Sequence, residues 1–227
     1  MKHLNKLVCA TLAMTVLAAQ ADVFFDNSLL YNGNQFVLTS GQPVGNEVTL
    51  GSGIYLTNFM FEYYSPNLTL NANLGVDVQF YLNNGALGAP GTLFYDSGWY
   101  FNNVAGNIPV GSNDLSYAYA DLYSSGLPGA FNMNPLNPLP TDFTYVITFT
   151  NILGSETIEI PLANNTSGVN SGNYWLYDSG QWSLLATNGI PANFVSEFAG
   201  TPEPSAYALV GVGGALLLGL NKLRRKI

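Results

Sequence analysis

The feature that most constrains the fold is a set of segments in which apolar and polar residues alternate with a period of two. In residues 76–82, every second side chain is apolar, and the turn signal Asn-Asn-Gly follows at 83–85. Similar runs lie at Ile54–Tyr64, 115–123 and 143–150. Because a lone hairpin cannot bury such faces in water, the pattern predicts strands of packed sheets.

The segments between these runs are rich in Gly, Asn, Pro and Ser, and residues 127–140 hold four prolines, which argues against an interior strand there. Residues 22–200 contain no long run with a helical apolar period. We therefore predict an all-β fold: a single antiparallel β-sandwich of jelly-roll type over residues 22–200. An N-terminal signal helix and a C-terminal single transmembrane helix are expected to flank it.

The first 21 residues have the pattern of a secretory signal peptide. Lys2 and Lys6 precede an apolar stretch, and Ala19 and Ala21 form a small-x-small signal that predicts cleavage before Asp22. The only cysteine and the only histidine of the chain lie in this segment. The mature protein is therefore expected to lack both residue types.

The C-terminal segment 201–227 has three blocks in a fixed order. The tripeptide Pro202, Glu203 and Pro204 precedes an uncharged apolar run that ends at Leu220. Residues 206–220 would span roughly 22 Å as a helix, which is short for a hydrocarbon core of about 30 Å. The run is therefore a marginal anchor, lengthened by basic side chains that extend to the headgroups. The basic cluster that follows consists of Lys222, Arg224, Arg225 and Lys226.

These basic residues predict that the C-terminal end stays in the cytoplasm and that everything before Pro202 is exported. The combination of a signal peptide, the Pro-Glu-Pro tripeptide, a short apolar run and a basic terminus resembles the PEP-CTERM sorting signal of Gram-negative bacteria that make extracellular polysaccharide. The resemblance implies an exosortase, an integral-membrane cysteine protease, as a partner that cleaves near the Pro-Glu-Pro motif. It implies an inner-membrane-anchored precursor that is then released or transferred to the cell surface. An unprocessed stop-transfer helix is the alternative reading of this segment.

The charge distribution excludes whole classes of function. All six Lys and Arg residues lie at the two ends, so residues 22–200 carry thirteen carboxylates and no cationic side chain. Nucleic-acid binding requires Lys or Arg against phosphates and is not expected. Anionic lipids and phosphate ligands are disfavoured for the same reason.

The missing residue types also restrict catalysis. Without His, Cys or Lys, the exported part can build no Ser-His-Asp or Cys-His nucleophile, no His or thiolate metal site and no Schiff base. Carboxylate-based glycoside hydrolysis and oxygen-ligated Ca²⁺ remain. The nearest acid pair, Glu156 and Glu159, reads as solvated surface, and residues 111–114 are a candidate calcium loop. The protein is predicted not to be an enzyme, and no cofactor is expected, with calcium left open.

The sequence also contains a short internal echo, a segment that occurs twice. Residues 93–99 and 175–182 both contain Tyr-Asp-Ser-Gly followed by a Trp, which predicts a strand that enters a tight turn. Trp99, Trp175 and Trp182 are candidate sugar contacts, with core packing as the alternative.

The sequence as a whole predicts an exported surface or extracellular-matrix protein with a structural or adhesive role in exopolysaccharide or biofilm. A carbohydrate-binding module is the first alternative, and a carboxylate-based glycoside hydrolase is the second.

Overall fold

A computed structural model describes residues 22–27, 31–51, 53–64, 73–101, 115–121, 139–154, 156–164, 173–185 and 192–202. The predicted signal helix and residues 203–227 lie outside these ranges. Within the described ranges, helices of bilayer-spanning length and hydropathy are absent.

The described chain is all-β, with fourteen strands and one short 3-10 turn, Ala86–Gly88. The strands are β1 (Asp22–Asp26), β2 (Tyr31–Val37), β3 (Val44–Thr49), β4 (Ile54–Tyr64), β5 (Gly75–Leu82), β6 (Leu93–Asp96), β7 (Tyr100–Phe101), β8 (Leu115–Asp121), β9 (Asp142–Thr150), β10 (Glu159–Asn164), β11 (Tyr174–Asp178), β12 (Gln181–Leu185), β13 (Ala192–Phe194) and β14 (Ser196–Pro202). The four alternating segments of the sequence correspond to β4, β5, β8 and β9, so these predicted strands are confirmed.

The strands form two sheets in which the paired strands run antiparallel. Sheet A has the order β1-β14-β4-β10-β13, with β2 paired to β10 and β8 paired to β4. Sheet B has the order β12-β11-β3-β9-β5-β6, with β7 paired to β5. Consecutive strands cross between the sheets, since β3 and β5 lie in sheet B and β4 lies in sheet A.

The core lies between the sheets and is rich in aromatic rings. From Phe59 to Tyr63 of β4, every second residue, namely Phe59, Phe61 and Tyr63, points inward and is buried. The rings of Phe59 and Tyr145 from sheet B have centroids 5.1 Å apart, and those of Tyr63 and Phe149 are 5.3 Å apart. The two sheets therefore pack face to face, the arrangement of a β-sandwich.

Both ends of the described chain lie side by side in sheet A. Asp22, the first residue after the predicted signal cleavage, is paired with Gly200 of β14. β14 continues through Thr201 to Pro202, which is paired with Ile54 of β4. The strand therefore includes the first residue of the predicted Pro-Glu-Pro motif, two residues beyond the predicted domain end at 200.

Candidate functional site

The outward face of sheet B, the face that points away from the core, carries a continuous row of residues from five strands, of which Trp175 and Val146 are buried. The row runs Trp175, Gly45, Val146, Gln79, Asp96 across β11, β3, β9, β5 and β6. Gly45 has no side chain, and an added Cβ would lie 2.8 Å from the Thr144 methyl group. The two copies of the Tyr-Asp-Ser-Gly echo lie at opposite edges of this sheet face, one at β6 and the other between β11 and β12.

Three rings on this face form what we call the aromatic patch: Tyr81, Tyr177 and Trp182. Tyr177 and Trp182 are directly opposite one another on β11 and β12, and their ring centroids are 5.0 Å apart. Trp182 also contacts Tyr81 of β5 edge-on, with centroids 6.1 Å apart. Tyr177 is 38% exposed, so the patch presents ring surface to solvent.

A chain of hydrogen bonds leads from the aromatic patch to the β6 edge. The Tyr81 hydroxyl donates to Gln79 Oε1 at 2.7 Å, and Gln79 Nε2 donates to Asp96 Oδ2 at 3.1 Å. The backbone N–H of Gly98 donates to Asp96 Oδ1 at 2.7 Å. These bonds hold the Asp96 carboxylate at the edge of the patch.

Asp77 and Asp96 form an acidic pair beside the patch. Asp77 is buried on β5, and its Oδ1 accepts a 3.1 Å hydrogen bond from the Ser97 hydroxyl. Asp96 follows on the paired strand β6, where it lies opposite Gln79. Burial, and then the negative charge of Asp96, raise the pKa of Asp77 to about 6, although the Ser97 bond acts in the opposite direction. Burial is also the main cause of the raised pKa of Tyr81, followed by the charges of Asp96 and Asp77.

The two copies of the echo form different turns. In the first, Gly98 has φ of +68° and the Asp96 side chain caps its N–H, as predicted for a strand that ends in a turn. In the second, Ser179 and Gly180 both have positive φ, 51° and 85°, and connect β11 directly to β12. Two consecutive positive φ values are typical of a type I′ hairpin, so this copy closes a two-residue loop.

The three predicted sugar-contact tryptophans have different environments. Trp182 is half-buried within the aromatic patch. Trp99 is 46% exposed and follows the turn beside Asp96. Trp175 is only 3% exposed, so its ring offers no stacking surface, and its Nε1 has no hydrogen-bond acceptor among the described residues.

Other predicted site residues fall elsewhere. Glu156 lies in the loop before β10, where its Oε2 accepts from the Leu153 N–H at 2.9 Å, and Glu159 begins β10. In the described ranges, no group of three or more potential metal ligands is present. The remaining predicted positions lie outside the described residues: Ala19, Ala21, Glu203, Pro204, Lys222, Arg224, Arg225, Lys226 and the candidate calcium loop 111–114.

Sequence reasoning did not single out Asp77, Gln79, Tyr81, Asp96 or Tyr177 as site residues. Asp96 and Tyr177 belong to the repeated Tyr-Asp-Ser-Gly segments, which we interpreted as turns alone. The alternating segment 76–82 could have identified the other three, Asp77, Gln79 and Tyr81. They are its polar half, and the alternation places them together on the outward face.

No protein-family model, curated protein or solved structure matches this chain.

Proposed function

We propose that the protein is an exported surface or extracellular-matrix protein that adheres to extracellular polysaccharide through the outward face of sheet B. The role is structural and adhesive, without catalysis. The jelly-roll type of sandwich, the signal helix and the transmembrane helix belong to the same proposal, as do the exosortase-type protease and the Pro-Glu-Pro sorting signal.

The observation that carries the proposal is the aromatic patch with its polar border. Aromatic rings combine a large apolar surface with polar groups at the edge, which suits the apolar faces and hydroxyl rims of sugar rings. Trp182 and Tyr177 supply the rings, and Gln79 and Asp96 supply hydrogen-bonding groups beside them.

Among the described residues, the acidic pair is the arrangement that favours the glycoside hydrolase alternative, and its geometry argues against that role. Retaining glycosidases hold two carboxyl groups roughly 5 Å apart, and inverting enzymes hold them farther apart. The carboxylate oxygens are already engaged by the protein itself: Asp77 Oδ1 accepts from the Ser97 hydroxyl, and the two oxygens of Asp96 accept from Gln79 Nε2 and from the Gly98 N–H. Asp77 is also only 6% exposed.

Co-sedimentation of the full chain with the insoluble exopolysaccharide of the producing cells tests adhesion. We expect saturable binding, weakened about tenfold or more by Trp182→Ala, because an aromatic anchor contributes a large part of such contacts. Tyr55→Ala, on β4 of the other sheet, is the matched control and should leave binding unchanged. Equal binding by Trp182→Ala and the unmodified chain would refute adhesion through this face.

A further inference from the structure

We propose that Asn32 is a site of spontaneous deamidation, at which the backbone nitrogen of Gly33 displaces the side-chain amide. This covalent modification lies in sheet A and is independent of adhesion through sheet B. Two Asn-Gly pairs that the fold holds in different ways support it, Asn32-Gly33 and Asn84-Gly85.

The reaction requires only an Asn-Gly pair and water. The backbone nitrogen of Gly33 bonds to Asn32 Cγ and gives its proton to solvent. The bond from Cγ to Nδ2 breaks, and that nitrogen takes a proton from solvent and leaves as ammonia. Water then opens the resulting cyclic imide to aspartate or isoaspartate. A following glycine favours the attack because it has no side chain and great backbone freedom, and asparagine counts among the thermolabile residue types.

Asn32 and Gly33 lie in a bulge of β2. The register of β2 against β10 shifts between Leu162 and Ala163, and Asn32 and Gly33 are the two β2 residues within that shift. Bulge residues are left out of the regular pairing of strands. Gly33 has φ of +83°, and a Cβ added there would meet none of the described atoms within 4 Å. The backbone of this pair therefore has room to reach the geometry of attack.

The Asn32 side chain is folded toward the peptide groups that follow it. Its Oδ1 accepts a 2.9 Å hydrogen bond from the N–H of Asn34, which closes an Asx turn. The turn spans Gly33, so it holds the side-chain carbonyl group near the attacking amide. The same N–H donates to the oxygen that becomes negative during attack, and it therefore stabilises the tetrahedral intermediate.

The pair Asn84-Gly85 has the same two residue types but is fixed by hydrogen bonds. Asn84 Nδ2 donates to Thr92 Oγ1 at 3.0 Å, and Asn84 Oδ1 accepts the Thr92 N–H at 2.8 Å. The attacking N–H of Gly85 donates to the Ala89 carbonyl oxygen at 2.9 Å, and a Cβ at Gly85 would lie 2.7 Å from that oxygen. Attack at Asn84 requires these bonds to break, although its side chain is exposed.

Deamidation at Asn32 leaves the rest of sheet A paired. Both products add a carboxylate to the thirteen of residues 22–200, and isoaspartate also lengthens the backbone by a methylene group. Because the bulge lies outside the register with β10, the extra length is accommodated without a shift of the neighbouring pairs. The modified chain is therefore expected to stay folded and to accumulate.

Peptide mass spectrometry of the full chain, aged in mildly alkaline buffer with mild detergent, tests the proposal. Samples are digested with pepsin in acid, since residues 22–221 offer no Lys or Arg to trypsin and acid suppresses the attack. We expect Asn32 to deamidate about tenfold or more faster than Asn84, because only Asn84 must first break its hydrogen bonds. In concentrated urea the two positions should react at similar rates, because only the local Asn-Gly sequence remains.

Matched variants are compared by ion-exchange chromatography, with Asn188→Gln as the background because that third Asn-Gly pair lies outside the described residues. Asn32→Gln should remove the first acidic species that appears on ageing, since glutamine must close a larger ring, and Asn84→Gln should leave that species unchanged. Equal rates at Asn32 and Asn84 in the folded chain, or a rate ratio that is the same in urea, would overturn the proposal. An Asn32 that stays intact in the folded chain would overturn it as well.

Discussion

Trp182 and Tyr81 make an edge-on ring contact, with centroids 6.1 Å apart and planes at 70°, although three strands separate them in the order of sheet B. β11, β3 and β9 lie between β12 and β5. The contact therefore crosses three strands of the outward face and joins the edge strand β12 to β5, which lies next to the opposite edge strand β6.

Because the contact is direct, the two residues should be energetically coupled. A double-mutant cycle of Trp182→Ala and Tyr81→Ala is expected to give a coupling energy of about 0.5–1.5 kcal/mol in urea unfolding. Trp182→Ala combined with Tyr55→Ala serves as the distant pair and should be additive within about 0.5 kcal/mol. Additivity of the first pair would contradict a stabilising contact.

Glu62 should make the protein more stable in mild acid than at neutral pH. Burial, and then the charge of Asp26, raise the pKa of Glu62 from 4.5 to about 7. Between these values the folded state keeps a proton that the unfolded state has lost, so the free energy of unfolding falls as pH rises from about 4.5 to 7. Asp77 acts in the same direction between 3.8 and about 6.

Glu62→Gln should therefore raise the free energy of unfolding at pH 8 by about 1–3 kcal/mol, with the gain vanishing toward pH 4. Thermal unfolding followed by circular dichroism from pH 4 to 8 measures this. Glu159→Gln, on the adjacent strand β10, is the control for loss of one negative charge. A Glu62→Gln variant that is less stable than the unmodified chain at pH 8 would show that the ionised carboxylate is favourable.

Asn46 links the two sheets through the core. Its buried Oδ1 accepts the N–H of Phe194 in β13 at 3.1 Å, although β3 belongs to sheet B and β13 to sheet A. Asn46→Ala leaves this N–H unpaired in an apolar interior and should cost about 1–3 kcal/mol in the free energy of unfolding.

In Asn46→Ala, hydrogen exchange should show a loss of protection specifically at the Phe194 amide. The control Asn164→Ala, at the exposed end of β10, should leave the Phe194 amide protected. Unchanged protection in Asn46→Ala would contradict the link.

Gly45 is required by close packing on the outward face of sheet B. A Cβ at this position would lie 2.8 Å from Thr144 Cγ2 and 3.3 Å from Val146 Cγ2. Thr144 cannot turn its methyl group away freely, because its hydroxyl donates to Asn83 Oδ1 at 2.7 Å.

Gly45→Ala should thus lower the free energy of unfolding by about 1–3 kcal/mol in urea titrations. Gly154→Ala, where the added Cβ meets nothing within 4 Å, should be close to neutral. Neutral behaviour of both variants would mean that Thr144 relaxes without cost.

The position of β14 predicts where processing of the C-terminal segment can occur. β14 is paired on both sides, with β1 and with β4, up to Gly200 and Pro202 respectively. Cleavage before Gly200 would remove paired residues from the interior of sheet A, so the mature C-terminus is expected at Pro202 or beyond.

Mass spectrometry of the protein isolated from the producing cells measures this end, and Pro202→Ala tests whether the terminus moves. A mature form that ends before Pro202 would contradict the prediction, and one that retains Arg225 would contradict processing altogether.

The sequence by itself determined the secondary structure class of the exported part and the kinds of binding and catalysis that its missing residue types exclude. The period-two alternation of β4, β5, β8 and β9 predicted these strands because side chains of a strand point to opposite faces. Because residues 22–221 contain no Lys, Arg or His, the negative charge of the exported part follows from the sequence alone.

Only the tertiary structure decided which residues share the candidate site. Asp77 and Asp96 lie on neighbouring strands, whereas Tyr81 and Trp182 are about a hundred positions apart and meet only because β11, β3, β9 and β5 pair side by side. Local patterns predict which face a residue occupies, but the order of strands depends on long-range packing of the whole core. The same packing buried Trp175 and exposed Trp99, although both accompany the same Tyr-Asp-Ser-Gly segment.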